Sequence, residues 1–387
     1  MPLHSFISNV KSDKVIWTVV FLLSIFSLLA VYSSTGTLAY RLQQGNTEFY
    51  LLKHFSILVF GLILMYLAHL VPPHIYGKLS PLAMMIVIPL LIITLFHGTE
   101  VNQASRWYTL PIINISFQPS DLAKLTVIIF LARMITLYQD ILNKFSNVLF
   151  IIVFPVMLVV AGILPANLST AAIILVTALG IMFVSKIRFL HLARVVGIIT
   201  VLLVAMVLIM KLNPGMGRFS TWQNRIENFS GRDSEDRYQI EQSMIAIASG
   251  GLLGKGPGNS TQKNFLPQPY SDFIFAIIVE EFGILGGGFI VFLYLVLLFR
   301  GIKLASKADN SYISLLAFGL IFSIVFQALI HIAVSVGIVP ITGQPLPMVS
   351  MGGSSLWFSS ISIGILLSIS RKVDYENIIQ QPDVQES

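Results

Sequence analysis

Six ionisable residues stand within, or at the edge of, long apolar runs: Asp121, Lys124, Asp272, Glu280, Glu281 and His331. A charge at membrane depth is costly, so each is a candidate for function. Asp121 and Lys124 are three apart and can face each other on a helix. A local ion pair at a helix start, with Asp121 favoured by the N-terminal dipole, accounts for them as well as substrate binding does. Glu280 and Glu281 are neighbours and point about 100° apart on a helix, so one cavity cannot take both. A structural pairing suits Glu280, and His331 reads as a hydrogen-bonded core group. Asp272 follows Leu266-Pro267-Gln268-Pro269-Tyr270-Ser271 and opens the apolar run Phe273-Ile274-Phe275-Ala276-Ile277-Ile278. The prolines hold the approach extended, and Ser271 or Asp272 is expected to cap the helix that follows. The same carboxylate, at the outer rim of a membrane, could instead act as a base on a lipid-linked sugar. From the residues alone, cap and base read equally well.

Gly250-Gly251-Leu252-Leu253-Gly254-Lys255-Gly256-Pro257-Gly258 approaches a phosphate loop but misses it. The Walker spacing needs a glycine at position 249, which is Ser, and a Ser or Thr after the lysine, where Gly256 stands. Nucleotide binding is rejected. Backbone amides of a glycine turn with Lys255 could still hold a diphosphate. Arg218, Arg225, Arg232 and Arg237 suit phosphate, but Asp233, Glu235 and Asp236 lie among them, so local ion pairs are the simpler reading. No His/Asp/Glu cluster has zinc spacing, no Ser/His/Asp set reads as a triad, and the absence of cysteine removes thiolate chemistry and disulfides.

These residues need apolar elements to hold them. Of 387 residues, 55% are hydrophobic and only 11% charged, with mean hydropathy +0.83. Soluble domains carry roughly 25% charged residues. The composition excludes a cytosolic enzyme, a secreted disulfide scaffold, a collagen and a disordered chain. The net charge of +6 is explained by basic loops and anionic headgroups rather than nucleic acid.

The apolar runs predict an all-α, polytopic membrane protein of about ten spans, near 15–34, 51–70, 80–97, 121–138, 146–164, 167–185, 190–211, 273–299, 311–336 and 347–370. A long polar stretch, about 212–272, separates the seventh from the eighth. The break between the fifth and sixth rests on Pro165, Asn167 and Ser169. With ten spans, one side collects Lys11, Lys14, Lys78, Arg133, Lys144, Lys186, Arg188, Arg194, Arg300, Lys303, Lys307, Arg371 and Lys372, which puts both termini in the cytoplasm and the long stretch outside. Residues 1–14 read as a cytoplasmic segment leading into a signal anchor, 15–371 as one membrane domain, and 372–387 as a disordered tail.

Four segments resemble one family, the SEDS proteins (shape, elongation, division and sporulation), and most closely its division branch. They are Ala104-Ser105-Arg106-Trp107 with Gln118-Pro119-Ser120-Asp121-Leu122-Ala123-Lys124-Leu125; Gln242-Ser243 with Ser249-Gly250-Gly251-Leu252; Leu266-Pro267 with Ser271-Asp272-Phe273-Ile274-Phe275-Ala276 and Glu280-Glu281-Phe282-Gly283; and Gly343-Gln344-Pro345-Leu346-Pro347 with Ser350-Met351-Gly352-Gly353-Ser354-Ser355. The resemblance implies a peptidoglycan glycosyltransferase of the bacterial inner membrane. Such an enzyme polymerises lipid II into a nascent glycan strand on the outer face, with a class B penicillin-binding protein and, at the septum, other divisome membrane proteins. It assigns polymerisation to Asp272. Three positions depart from the family pattern: Asn167 replaces an acidic residue, Thr342-Gly343-Gln344 lacks a lysine, and Met351 replaces a tyrosine.

The implied reaction is an inverting attack of an N-acetylglucosamine 4-hydroxyl on the N-acetylmuramic acid anomeric carbon, with undecaprenyl diphosphate leaving. Asp272 would be the base. Lys124, Arg106 and Lys255 would meet the diphosphate, and Ser271, Gln118, Ser350 and Glu281 complete the expected substrate site. No cofactor is required; a divalent cation, Mg or Mn, could share the neutralisation. Two other readings fit ten spans with buried charges, a lipid II flippase and a non-enzymatic scaffold for the transpeptidase.

Overall fold

A computed structural model describes residues 12–42, 46–101, 104–109, 116–212 and 235–380. Its helices fall where the apolar runs predicted spans: α1 (Lys14–Ser34), α3 (Thr47–Leu70), α4 (Pro73–His97), α5 (Pro119–Leu137), α6 (Phe145–Ile163), α7 (Leu168–Val184), α8 (Phe189–Leu212), α10 (Ile274–Lys307), α11 (Ser311–Ser335) and α12 (Gly353–Gln380). Two others, α2 (Gly36–Leu42) and α9 (Glu235–Gly250), lie between spans. Seven of the described helices are long and apolar enough to cross a membrane. Of the rest, α5 carries Asp121, Lys124 and Arg133, while α7 and the Phe189–Ala205 stretch of α8 are shorter.

Asp and Asn set where these helices begin. Asp13 Oδ1 accepts from Val15 N–H at 2.9 Å, Asn46 from Phe49 at 3.1 Å, Asn167 from Thr170 at 3.1 Å and Asn310 from Tyr312 at 2.9 Å. The break at Pro165 is therefore real, and Asn167 has a physical reason for its departure: Asn caps a helix as well as Asp.

The long polar stretch is not one loop. It contains α9, whose Ser243 hydroxyl donates to the carbonyl of Ser335 at the end of α11 (2.7 Å). α12 continues as helix through Lys372 to Gln380, into the segment expected to be a tail. Between α4 and α5 three short antiparallel strands, β1 (Thr99–Val101), β2 (Ala104–Thr109) and β3 (Ser116–Phe117), pair in the order β1-β2-β3. They are the one departure from an all-α fold among the described residues.

The centre of the bundle is α11 and α12, with 67% and 78% of their apolar windows buried against 28% for α3 and α4. α1 and α10 run antiparallel and are tied at both ends. Arg300 pairs with Asp13 at 2.5 Å, and the Ser33 hydroxyl donates to Glu281.

Candidate functional site

The chain turns sharply before α10. The Gln268 carbonyl accepts from the Ser271 and Asp272 amides at 3.2 and 3.1 Å, and the Phe273 carbonyl takes the first helical bond from Ala276 at 3.0 Å. Phe273 thus occupies the cap position, with no side chain capping the helix. The expected cap by Ser271 or Asp272 is not formed, because the turn leaves both residues ahead of that position. Instead the Ser271 hydroxyl donates to Asp272 Oδ1 at 3.0 Å. Asp272 is only half-buried. The phenol of Tyr270 is pushed above its ordinary range, by burial first and then by the negative charge of Asp272.

The segment between α11 and α12 carries Asp272's support. Ser350 Oγ donates to the Ser271 carbonyl at 2.7 Å and accepts from Leu346 N–H at 2.8 Å, while Met351 N–H donates to the Tyr270 carbonyl at 3.0 Å. Further along, the Pro345 carbonyl accepts from Gln327 Nε2 at 2.8 Å, and Gln327 Oε1 accepts from Lys124 Nζ at 2.5 Å. Asp121 lies 3.9 Å from the same ammonium. Ser354 Oγ donates to Asp121 at 3.4 Å and accepts from the Gln118 amide at 3.0 Å; Gln118 Nε2 donates to Ser120 at 2.8 Å. Asp272, Ser271, Ser350, Lys124, Asp121 and Gln118 thus belong to one connected polar network. The sequence signalled its ends, and Ser354 only as part of a motif; it did not signal Gln327, the side chain that joins Lys124 to the loop. His331 donates from Nδ1 to the Gln344 carbonyl at 2.8 Å, with Gln344 held by Thr170 at 2.9 Å, as a core group would be.

Lys255, Glu280 and Glu281 form a second cluster. Glu280 is fully buried and accepts from Lys255 Nζ at 2.6 Å, Thr261 Oγ1 at 2.8 Å, the Thr261 and Gln262 amides at 3.1 and 3.2 Å, and the Ser260 hydroxyl. Lys255 also reaches Thr261 Oγ1 at 3.1 Å, so its ammonium is engaged in holding the loop. Glu281 accepts from Ser33 and from the Ser260 amide at 3.3 Å.

The glycines serve the same packing. α10 is broken at Gly283 (φ 70, ψ −175), and a Cβ there would stand 2.2 Å from the Leu252 carbonyl oxygen. At Gly250 it would stand 2.1 Å from the Val279 carbonyl oxygen. Only glycine permits this approach and this backbone. The glycine loop is thereby seated against α10.

Arg106 lies in β2, and its side chain is outside the described residues; Trp107, next to it, lies against Gly353 at the start of α12. Arg218, Arg225 and Arg232 fall outside the described residues, and Arg237 pairs with Glu241 at 2.8 Å. Among the described residues no group of three or more His, Cys, Asp or Glu could hold a metal ion.

A family profile for FtsW, RodA and SpoVE, described as "Cell cycle protein", matches residues 13–375. The peptidoglycan glycosyltransferase MrdB of Escherichia coli (strain K12) is 30% identical over 374 residues, covering 94% of this chain and 95% of its own. Stage V sporulation protein E of Bacillus subtilis (strain 168) is 33% identical over 376 residues, covering 94% and 98%. A probable peptidoglycan glycosyltransferase FtsW of Buchnera aphidicola is 32% identical over 380 residues, covering 96% and 97%. Among solved structures, RodA of Thermus thermophilus superposes with TM-score 0.65 at 24% identity over 93% of this chain and 97% of its own. A chain from a peptidoglycan synthase complex that coordinates polymerization and crosslinking superposes with TM-score 0.69 at 23% identity, over 94% and 98%. Relatives named for wall synthesis, sporulation and FtsW all match at 30–33%, so identity singles out no branch. The chain belongs to the FtsW, RodA and SpoVE family of cell cycle proteins, the SEDS family.

Proposed function

We propose that this chain is a peptidoglycan glycosyltransferase that polymerises lipid II on the outer face of the bacterial inner membrane, in septal wall synthesis, with both termini cytoplasmic. The chain's relatives named peptidoglycan glycosyltransferase support the activity. The observation that carries the site is the position of Asp272: it caps no helix, it is partly open, and its loop is braced through Ser350 and Gln327 to the Lys124 ammonium.

In this reading Asp272 accepts the proton of the acceptor's 4-hydroxyl as it attacks the donor's anomeric carbon. General base catalysis of this kind contributes about 10²–10⁴ in rate. The donor is α-linked and the polymer β-linked, so a single displacement suffices and no covalent enzyme intermediate forms. Lys124, the cation of the polar network, neutralises the departing diphosphate together with Arg106. Lys255 contributes indirectly, through the Glu280 clasp that fixes the loop leading to Asp272. A divalent cation could share this neutralisation as a Lewis acid, held by the substrate's own diphosphate, since no acidic or His cluster among the described residues would hold it. The partner is a class B penicillin-binding protein, a reading supported by the fold's likeness to a chain of a synthase complex that couples polymerization and crosslinking.

The flippase reading makes the deep charges move. Here Glu280 and His331 are each held by fixed partners, which favours the polymerase. The test is polymerisation of labelled lipid II by purified protein, alone and with its class B partner, wild type against Asp272→Asn. Glycan strands from wild type and none from the folded variant support the base. Strands from both remove Asp272 from the chemistry, and strands from neither, even with the partner, remove the polymerase reading. Depletion in the host separates the branches: filamentous cells support septal synthesis, and rounded cells overturn it.

A further inference from the structure

The tip between α9 and α10 has its backbone paired in a way that water would not require. At the Gly283 break, the carbonyls of Glu280 and Glu281 accept from the amides of Lys255 (3.0 Å) and Gly256 (2.9 Å). In return, the amides of Ile284 and Leu285 donate to the carbonyls of Gly251 (2.9 Å) and Leu252 (3.4 Å). Gly254 N–H closes the turn on the Gly250 carbonyl at 2.8 Å. Irregular backbone persists at membrane depth only where its polar groups are satisfied by protein.

The depth of this tip follows from the α1–α10 pair. α1 has 21 residues, about 31 Å of helix at 1.5 Å per residue. It is bonded to α10 at Asp13–Arg300 on one end and Ser33–Glu281 on the other. That interval equals the hydrocarbon thickness of a bilayer, about 30 Å. Glu281 therefore marks one boundary of the hydrocarbon and Arg300 the other. Ile284 and Leu285, to which the tip is bonded, are the first residues past the Gly283 break on the Arg300 side of Glu281, and so lie just inside the boundary that Glu281 marks.

The side chains agree with that depth. Leu252 and Leu253 are 63% and 76% exposed, beside Ile284 and Leu285 at 59% and 57% on the adjoining face of a membrane-spanning helix. The polar groups of the loop, Lys255 and Ser260, turn the other way onto Glu280.

We propose that the Gly251–Gly254 turn is a re-entrant tip whose Leu252 and Leu253 side chains insert among the acyl chains of the leaflet on the Asp272 side. The partner surface is lipid, continuous with the lipid face of α10. The tip moors the α9 end of the outer segment, and with it the loop leading to Asp272, to the bilayer at a fixed depth.

The chain has no cysteine, so a single introduced cysteine carries a nitroxide at one chosen place. Leu253→Cys, Phe292→Cys in the middle of α10, and Tyr238→Cys, about 18 Å back along α9 from Gly250, are labelled in full-length protein. The protein is reconstituted in phosphatidylethanolamine–phosphatidylglycerol vesicles. Collision with oxygen and with a water-soluble nickel chelate is read by electron paramagnetic resonance. The label at 253 is expected to match 292: high oxygen contact and nickel contact several-fold below that at 238. Nickel contact equal to that at 238 overturns the proposal. So does shielding from both reagents, which would mean that protein rather than lipid covers the tip. Leu252→Cys provides the same reading if Leu253→Cys does not fold.

Discussion

Gln327 is a polar side chain on a largely apolar helix, 1% exposed, with its oxygen on Lys124 and its nitrogen on the Pro345 carbonyl. A buried amide so placed orients the ammonium and couples it to the loop bracing Asp272. Gln327→Leu leaves a buried ammonium short of an acceptor and a carbonyl short of a donor, each costing about 1–3 kcal/mol. Gln327→Glu restores the acceptor for Lys124. The expected outcome is a loss of polymerisation turnover of about tenfold or more for Gln327→Leu, with part of it recovered in Gln327→Glu. Lipid II titration of the initial rate checks this. Equal turnover in wild type and Gln327→Leu, with only thermal stability lowered, would reduce Gln327 to a packing role. The contrast with Asp272 shows what a sequence discloses at this scale. A carboxylate after two prolines at the start of an apolar run announces itself by cost and position. Gln327 has partners far along the chain, and nothing local marks a lone amide on a largely apolar helix as a link; Ser354 stands in a family motif, but the motif does not say that its hydroxyl meets Asp121.

At the scale of elements, the joint between α9 and α10 is the least forgiving part of the described chain. Gly283 adopts a positive φ and touches the Leu252 carbonyl, and Glu280 gathers the ends of the loop. Gly283→Ala adds backbone strain on the order of 1–3 kcal/mol and a 2.2 Å collision with backbone. Glu280→Ala leaves the Ser260 and Thr261 hydroxyls and the Thr261 and Gln262 amides without their shared acceptor, and each donor left buried and unpaired costs about 1–3 kcal/mol. Both variants are expected to lower the unfolding temperature in detergent and to open the loop 251–262 to limited proteolysis, while Gly288→Ala, on the same helix with open space around it and no positive φ, does so far less. Equal resistance of Gly283→Ala and wild type to proteolysis would refute the fixed seat. The glycine pattern was visible in the sequence and suggested a phosphate cradle. Glycine marks both mobility and close approach, and only the tertiary structure distinguishes Gly250 pressed on Val279 from a free hinge. Spans, by contrast, were legible because apolar length reports directly on burial in lipid. The small sheet was not, because strands of two to six residues carry almost no periodicity.

Across the whole molecule, the α1–α10 pair acts as a strut tied at two distant points. Asp13 does three jobs: it caps α1, takes Arg300, and receives Ser370 Oγ as acceptor for its own amide at 2.8 Å. Ser33 ties the opposite end to Glu281. Arg300→Ala leaves the buried Asp13 carboxylate without its cation, while Ser33→Ala removes a donor from Glu281, whose second oxygen already has no hydrogen-bond partner. Each change is expected to lower the unfolding temperature. The two ties lie about 28 Å apart along α10, well beyond the 7–10 Å within which mutational effects couple. If the ends respond independently, the double variant's loss equals the sum of the single losses within about 0.5 kcal/mol. If α1 detaches from α10 as one rigid body, releasing either end releases both, and the double variant is no worse than the weaker single one. Thermal unfolding of the four proteins in the same detergent decides between these. The tip that moors α9 rests on α10 rather than α1, so additivity is the expected result: α10 keeps its position when one end of α1 is freed.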